Sequence, residues 1–318
     1  MATTTYYGEV GCPTILPSGK ECKNKAYWLV TSEGRLSCGV HARDPETRAP
    51  LPKRSLAEKN KLASVKYARE TIEIDTAAED NLSEGRKGHV IVTKLRMMAA
   101  PEDHSGYRKV FPNFKHGNRK DGLGMPELSP MSLGPVKHTQ PDLPEALNIE
   151  NLHQFNKVFP SEIDDDGNPT EEWYATRVRA YRDPIPHRHK PAAKSASGSK
   201  NIPEYSIWVT PDGKEAKLSY FESRQVYCTY YERLAKKTKA YATLVKLREK
   251  GVNIQIVGYD GYDLGIGSDD NHKMIRSKFI ELYNDTKKPF GHELVLAALL
   301  LIENRKDYPW RGYTTLEL

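Results

Sequence analysis

The chain has 318 residues, a formal charge of +6 and a pI near 8.9. A chain of this length can bury a core without disulfides, so cross-links are not needed to hold its fold. Its hydrophobic content of 38% and mean hydropathy of -0.69 are polar for a globular protein. The mild basic excess favours partners that carry phosphate, which include nucleotides as well as nucleic acid.

Neither a membrane span nor a secretory signal is visible in the sequence. No window approaches the roughly 18 apolar residues that a membrane helix requires, and MATTTYYGEV lacks a basic start and an apolar core. These features predict a soluble, intracellular protein. Three of the four cysteines lie within the first 38 residues and Cys228 stands alone, which in a reducing compartment favours metal binding over disulfides.

The first predicted unit, residues 1–48, contains four candidate metal ligands: Cys12, Cys22, Cys38 and His41. Their pattern is C-x9-C-x15-C-x2-H, and three thiolates with one imidazole form the ligand set of a closed tetrahedral zinc site. Protein side chains fill all four positions, so the predicted zinc is structural. Three unrelated buried cysteines are the alternative, but His41 lies at a ligand's spacing from Cys38. Such a unit would suit binding of nucleic acid or of a protein equally well.

Residues 49–98 are predicted to form a basic helical connector that ends in the strand GHVIVTKL, whose apolar residues alternate. Residues 99–182 form the first part of the body, and their long stretch rich in Pro, Gly and Lys predicts loops. Within this part, TEEWYATRV is typical of a helix capped by Thr170.

Residues 148–159, NIENLHQFNKVF, place Glu150, Gln154 and Lys157 four and then three residues apart. On one helix these offsets bring a carboxylate, an amide and an ammonium onto the same face. The same spacing is typical of a solvated helix face. The spacing alone therefore leaves a surface and an active site as alternatives.

Residues 183–203 combine Pro, Ser, Gly and basic residues with almost nothing to bury, which predicts a flexible basic linker or exposed loop. Residues 204–318 form the second part of the body. Their patterns predict a hairpin around Asp212 and Gly213, two helices ending at Gly251, a buried strand NIQIVGY followed by a loop rich in Gly and Asp, and a closing apolar helix.

The pattern Glu150-x3-Gln154-x2-Lys157 resembles the signature of the NADAR superfamily, which comprises N-glycosidases associated with the riboflavin pathway and enzymes that process ADP-ribose. LSPMSLGPV, at residues 128–136, is similar to the family's SNF-containing segment. Residues 221–304 follow the family's order of paired helices, strand, Asp-containing loop and closing helix. The resemblance implies an α+β fold with a mainly helical NADAR-like body and a small sheet.

The resemblance also implies the site. Glu150 would be the catalytic carboxylate, and Asp260 or Asp263 would bring a second one from the glycine loop. A carboxylate and an activated water are what cleavage of an N-glycosidic bond requires. The implied ligand is a nucleotide or an ADP-ribose-like molecule, and the residues implied to bind it are Gln154, Lys157, Gly265 and Gly291.

A non-enzymatic protein that binds nucleic acid or other virion proteins is the second hypothesis. The chain also resembles proteins of large DNA viruses, which implies a virion or the host cytoplasm. The residues that would contact phosphates are Arg108, Lys109, Lys115, Arg119, Lys120, His187, Arg188, His189 and Lys190. The same charges would also serve simply to keep loops solvated. His292 and Glu293 do not complete an HExxH zinc motif because residue 296 is Leu, so Glu293 is predicted to interact with a helix dipole.

Overall fold

The computed structural model describes residues 5–96, 100–190, 202–260, 263–265, 272–311 and 318. The chain divides into two units, Met1–Arg69 and Glu70–Leu318. Among the described residues there are seven α-helices and three β-sheets, which confirms the predicted α+β class. None of these helices has both the length and the apolar character needed to cross a membrane.

The first unit contains a small antiparallel sheet of three strands: β1 (Trp28–Val30), β2 (Arg35–Ser37) and β3 (Arg48–Pro50), in the order β2-β1-β3. It is followed by helix α1 (Leu56–Ser83). The boundary between the two units, at Arg69, falls within this helix, whereas the sequence predicts a unit that ends at residue 48.

The second unit is built on a parallel sheet whose strands are far apart in the chain. Its strands are β4 (Val90–Lys94), β5 (Tyr107–Phe111), β6 (Leu123–Gly124) and β10 (Asn253–Gly258), in the order β4-β10-β5-β6. All four run parallel. Every residue of β10 is buried, as expected of a central parallel strand, and the predictions of β4 and β10 are confirmed.

A second, antiparallel sheet in this unit is formed by β7 (Lys157–Val158), β8 (Tyr205–Val209) and β9 (Glu215–Leu218). The predicted hairpin of β8 and β9 is confirmed. Gly213 adopts a φ of +81° between its strands, which is a backbone conformation that glycine adopts without a steric cost.

The helices of the second unit pack around these sheets. They are α2 (Ile149–Phe155), α3 (Glu171–Arg182), α4 (Tyr220–Ala235), α5 (Lys239–Glu249), α6 (His272–Asn284) and α7 (His292–Leu301). All ten residues of α7 are buried, because it packs against α4 on one side and against β4 and β10 on the other. A helix that is apolar all round is typical of such a position.

Candidate active site and metal centre

A cavity of about 670 Å³ opens in the second unit at the carboxyl ends of three neighbouring parallel strands. Lys94 ends β4 and Leu95 and Arg96 follow it, Asn113 to His116 follow β5, and Tyr259 and Asp260 follow β10. Clefts at this edge of parallel sheets are the usual place for ligands in α/β structures. The predicted site residues that line the cavity are Glu150, Gln154, Lys157, Asp260 and Gly291.

Glu150 lies in the first turn of α2, and only 8% of its surface is exposed. Gln154 Nε2 donates a hydrogen bond of 3.1 Å to Glu150 Oε1, and Lys157 Nζ donates one of 3.2 Å to Gln154 Oε1. The amide therefore links the carboxylate to the ammonium in a continuous row. The spacing left a solvated surface and an active site as alternatives. Because Glu150 is buried, it does not lie on a solvated helix face.

Lys157 does not belong to the helix, so the prediction that it continues the helical face is wrong. Helix α2 ends at Phe155, and Lys157 begins β7. Asn156 explains the change of direction, since its Oδ1 accepts from the Tyr181 hydroxyl at 2.7 Å and its carbonyl accepts from the Ile207 amide at 2.8 Å. The long lysine side chain nevertheless reaches back to Gln154.

Burial changes the acidity of both ends of this row. It raises the pKa of the Glu150 carboxyl, an effect that the hydrogen bond from Gln154 and the charge of Lys157 partly oppose. Burial also lowers the pKa of Lys157 to about 8, although the charge of Glu150 opposes this shift. A more basic carboxylate thus lies near a lysine that gives up its proton more readily than usual.

The two aspartates proposed as the second carboxylate have different positions. Asp260 is exposed and lines the same cavity as Glu150. Asp263 accepts a hydrogen bond of 2.6 Å from the Lys94 amide, and together with Gly265 it lines a separate cavity of about 530 Å³. Leu264 fixes this arrangement by pairing with Val92 through two backbone hydrogen bonds. The structure therefore brings Asp260, and not Asp263 or Gly265, to the Glu150 cavity.

Glu293 is a buried acid beside this cavity that the sequence reasoning did not include in the site. Its side chain is fully buried, and His292 Nδ1 lies 3.3 Å from Oε2. A Cβ added to Gly258 would lie 1.9 Å from Glu293 Oε1, and one added to Gly291 would lie 2.8 Å from Oε2. The two glycines therefore leave the space that this carboxyl occupies. Burial raises its pKa, against the opposing effect of His292, and the charge of Asp260 contributes to the rise.

The segment 183–190, part of the predicted linker or exposed loop, is mostly exposed and is held against α2. Asn151 Nδ2 donates to the carbonyls of Asp183 and Ile185 at 3.0 and 2.9 Å, and its Oδ1 accepts from the His187 amide at 2.8 Å. These contacts, and a buried His189, hold Arg188 at the cavity wall. Residues 191–201 of the predicted linker lie outside the described residues, and residues 202 and 203 are described.

His189 is the second anchor of this segment. Its Nε2 lies 2.7 Å from Glu162 Oε1, and its ring stacks on Phe155 with centroids 4.8 Å apart. The prediction that this stretch has almost nothing to bury does not hold at His189, because the imidazole is packed between an aromatic ring and a carboxylate.

The cavity carries more positive than negative side chains. Its acidic members are Glu150 and Asp260, and its basic members are Lys94, Arg96, Lys115, Lys157 and Arg188. An excess of cations around a concave site suits a ligand with phosphate groups, because guanidinium and ammonium groups make charge-assisted hydrogen bonds to phosphate oxygens.

Several of the other basic residues predicted to contact phosphates already have acidic partners. Lys109 is buried and pairs with Glu70 and Asp103. Arg119 Nε donates to Asp121 at 2.7 Å. His187 and His189 pair with acids as well, which leaves fewer free charges for an extended nucleic-acid surface.

The four predicted metal ligands come together in the first unit. Their ligand atoms all lie within 4.8 Å of one another. Cys22 Sγ is 3.9 Å from Cys38 Sγ, and His41 Nδ1 is 3.4 Å from the sulfurs of Cys12 and Cys38. In a tetrahedral zinc site with Zn–S distances of about 2.3 Å, two sulfurs lie roughly 3.8 Å apart. The cluster can therefore hold a metal ion, and its dimensions are compatible with zinc.

Comparison of the chain with protein-family models, curated proteins and solved structures finds no match in any of the three.

Proposed function

We propose that the second unit is a hydrolase that cleaves an N-glycosidic bond in an ADP-ribose or nucleotide-like substrate. The observation that carries this proposal is the buried carboxyl of Glu150 in the wall of a cavity that also contains Asp260 and an excess of cations. A sheltered carboxylate stabilises the oxocarbenium-like centre that forms when the sugar loses its base. The basic side chains of the cavity would bind the phosphate groups of such a substrate.

In the proposed reaction, the bond between sugar C1 and the base nitrogen breaks, and its electron pair leaves with the nitrogen. The oxygen of a water molecule bonds to C1, and Glu150 takes a proton from that water. Lys157 donates a proton to a departing nitrogen that would otherwise leave as an anion, whereas the positively charged ring nitrogen of NAD leaves as a neutral base and takes no proton. The raised pKa of Glu150 and the lowered pKa of Lys157 suit these roles, because general bases and acids are most effective when their pKa lies near the working pH.

Gln154 has a positioning role in this proposal. Its amide donates to Glu150 and accepts from Lys157, so the orientation of one group is tied to that of the other. Arg188 and Lys115, on the walls of the same cavity, are placed to bind phosphate oxygens.

The resemblance to the NADAR superfamily belongs to the same proposal. We infer a divergent member whose catalytic glutamate is Glu150 and whose second carboxylate is Asp260. The burial of Glu150 and the position of Asp260 on the same cavity support this inference. Gly291 contributes through the space it leaves for Glu293.

The direct test compares wild type with Glu150→Gln on three substrates: DNA carrying ADP-ribose, protein carrying ADP-ribose, and NAD. Replacing the carboxylate by an amide removes the base, so we expect product release from at least one substrate to fall about 100- to 10,000-fold. Chromatography of the released sugar and base provides the measurement. Glu145→Gln, at an exposed glutamate outside the cavity, is the matched control and should keep full activity.

Equal rates for wild type and Glu150→Gln would contradict the catalytic role. If neither protein acts on any substrate and both bind DNA in a salt-sensitive manner, the non-enzymatic hypothesis is favoured.

The pH dependence of the reaction provides a second test. For a substrate whose departing nitrogen needs a proton, Lys157 must carry its own proton to act as the acid, so kcat/KM should fall as the pH rises through about 8, the pKa of Lys157. Lys157→Arg keeps the charge at all accessible pH values, because an arginine side chain has a pKa above about 12. We expect the fall near pH 8 to disappear in this variant, whatever its absolute rate. A fall at the same pH in both proteins would contradict the role of Lys157.

For the first unit we propose a structural zinc ion bound by Cys12, Cys22, Cys38 and His41. All four positions of a tetrahedral site are then filled by protein, which leaves none for a substrate. Small structural units that bury few residues, such as this one, commonly depend on a bound zinc ion for their stability.

Metal analysis tests this second proposal. Purified protein should contain about one zinc per chain, as expected for a single four-ligand site. Cys38→Ser should lose the metal, since a serine hydroxyl is a poor zinc ligand. Cys228→Ala, which removes a buried cysteine on α4, is the control and should keep it. Loss of zinc from the control alone, or zinc that stays after Cys38→Ser, would contradict the assignment.

A further inference from the structure

A second cavity, of about 490 Å³, adjoins the first. The two cavities share four wall residues: His153, Lys157, Tyr227 and Pro289. They therefore form neighbouring chambers of one cleft, with Lys157 at their boundary. Glu150 and Asp260 line only the first chamber.

The walls of the second chamber differ in chemistry from those of the first. Aromatic and apolar side chains form half of its lining residues, among them Tyr205, Tyr220, Leu218 and Phe290. Of the five cations of the first chamber, Lys157 also lines the second, whose other charged residues are Arg224 and Glu204. A chamber of this kind suits a planar, uncharged ring more than a phosphate group.

Arg224 does not provide a phosphate site, because both terminal nitrogens of its guanidinium already donate to protein oxygens. Its guanidinium donates to the carbonyls of Tyr283, Asp285 and Lys288. It also donates to the Tyr220 hydroxyl at 2.6 Å and lies 4.5 Å from the centroid of that ring. The guanidinium is buried, and its bond to the Tyr220 hydroxyl holds that ring in place at the edge of the chamber.

The aromatic walls are well fixed. Phe290 is buried and packs edge-on against Tyr283, with centroids 5.2 Å apart. Tyr220 is about half exposed, at 51%, which leaves ring surface free for a ligand. Ser206 and Ser223 add hydroxyl groups that can meet polar atoms on the edge of a base.

We propose that the second chamber binds the heteroaromatic base that the sugar loses, while the ribose and its phosphate occupy the first chamber. This inference rests on the proposed glycosidase function. It explains why Lys157 lines both chambers, since a group that protonates the departing nitrogen has to lie between sugar and base.

Calorimetric titration of ribose 5-phosphate, AMP, GMP and nicotinamide mononucleotide into the full chain tests the inference. Each nucleotide differs from ribose 5-phosphate in its base at C1, so the difference in affinity reports the contribution of the second chamber. Chromatography of the recovered ligand checks that it remains intact. We expect at least one nucleotide to bind about tenfold or more tightly than ribose 5-phosphate, since stacking of a base on an aromatic side chain has this magnitude.

Two variants separate the chambers. Tyr220→Ala should weaken the preferred nucleotide about tenfold and leave ribose 5-phosphate unchanged. Tyr220→Phe keeps the ring and should keep the affinity, which distinguishes loss of stacking from loss of structure. Arg188→Ala, in the first chamber, should weaken the nucleotide and ribose 5-phosphate by the same factor, about tenfold, because it acts on the shared phosphate.

The outcomes distinguish this inference from the function on which it rests. If ribose 5-phosphate binds and depends on Arg188, but no nucleotide binds more tightly and Tyr220→Ala has no effect, the base site is overturned and the first chamber stands. Equal weakening of all ligands by Tyr220→Ala would also overturn it. If none of the ligands binds at millimolar concentration, both proposals fail.

Discussion

The constraint on which the site depends is the burial of the Glu150 carboxyl. Taking a carboxylate out of water is unfavourable unless hydrogen bonds or opposite charges compensate for the lost hydration. Gln154 and Lys157 provide this compensation from one side, and Arg188 adds a positive charge to the same cavity wall. Burial outweighs this compensation and raises the pKa of Glu150, so its carboxylate is a stronger base than that of a glutamate in water.

This row depends on neighbours that do not themselves line the cavity. Asn156 ends α2 and turns the chain into β7, which positions Lys157. Asn151, on the same short helix, holds the segment that carries Arg188. A helix of seven residues has little stability of its own, so its position depends on these tertiary hydrogen bonds. The carboxyl ends of β4, β5 and β10 supply the opposite wall, and Gly258 and Gly291 allow the chain to pass close to the buried Glu293.

Much of the fold was predictable because its signals are local. The hairpin of β8 and β9, the buried strand β10 and the apolar helix α7 follow from alternation, turn residues and composition. The positions of Glu150 and Gln154 on one helix followed from their spacing. The four metal ligands also come together as their residue types indicate.

The remaining features of the site depend on contacts between distant residues, which no local pattern contains. The end of α2 is set by Tyr181 and Ile207, and the choice between Asp260 and Asp263 is set by the pairing of Leu264 with Val92. The burial of Glu293 could not be predicted from the sequence. Gly258 and Gly291 make room for it, but a glycine at the end of a strand or before a helix is common and does not indicate a buried acid. The strand order of the parallel sheet could not be predicted from local patterns either, because β10 pairs with strands about 150 residues earlier in the chain.

Glu150 is a sheltered acid with an elevated pKa, and carbon NMR measures that pKa directly. Titration of protein labelled at the glutamate carboxyl carbons, with the Glu150 signal assigned by its absence in Glu150→Gln, should place its pKa above the ordinary value of 4.5. A midpoint at or below 4.5 would describe a carboxylate in open water and would contradict the account.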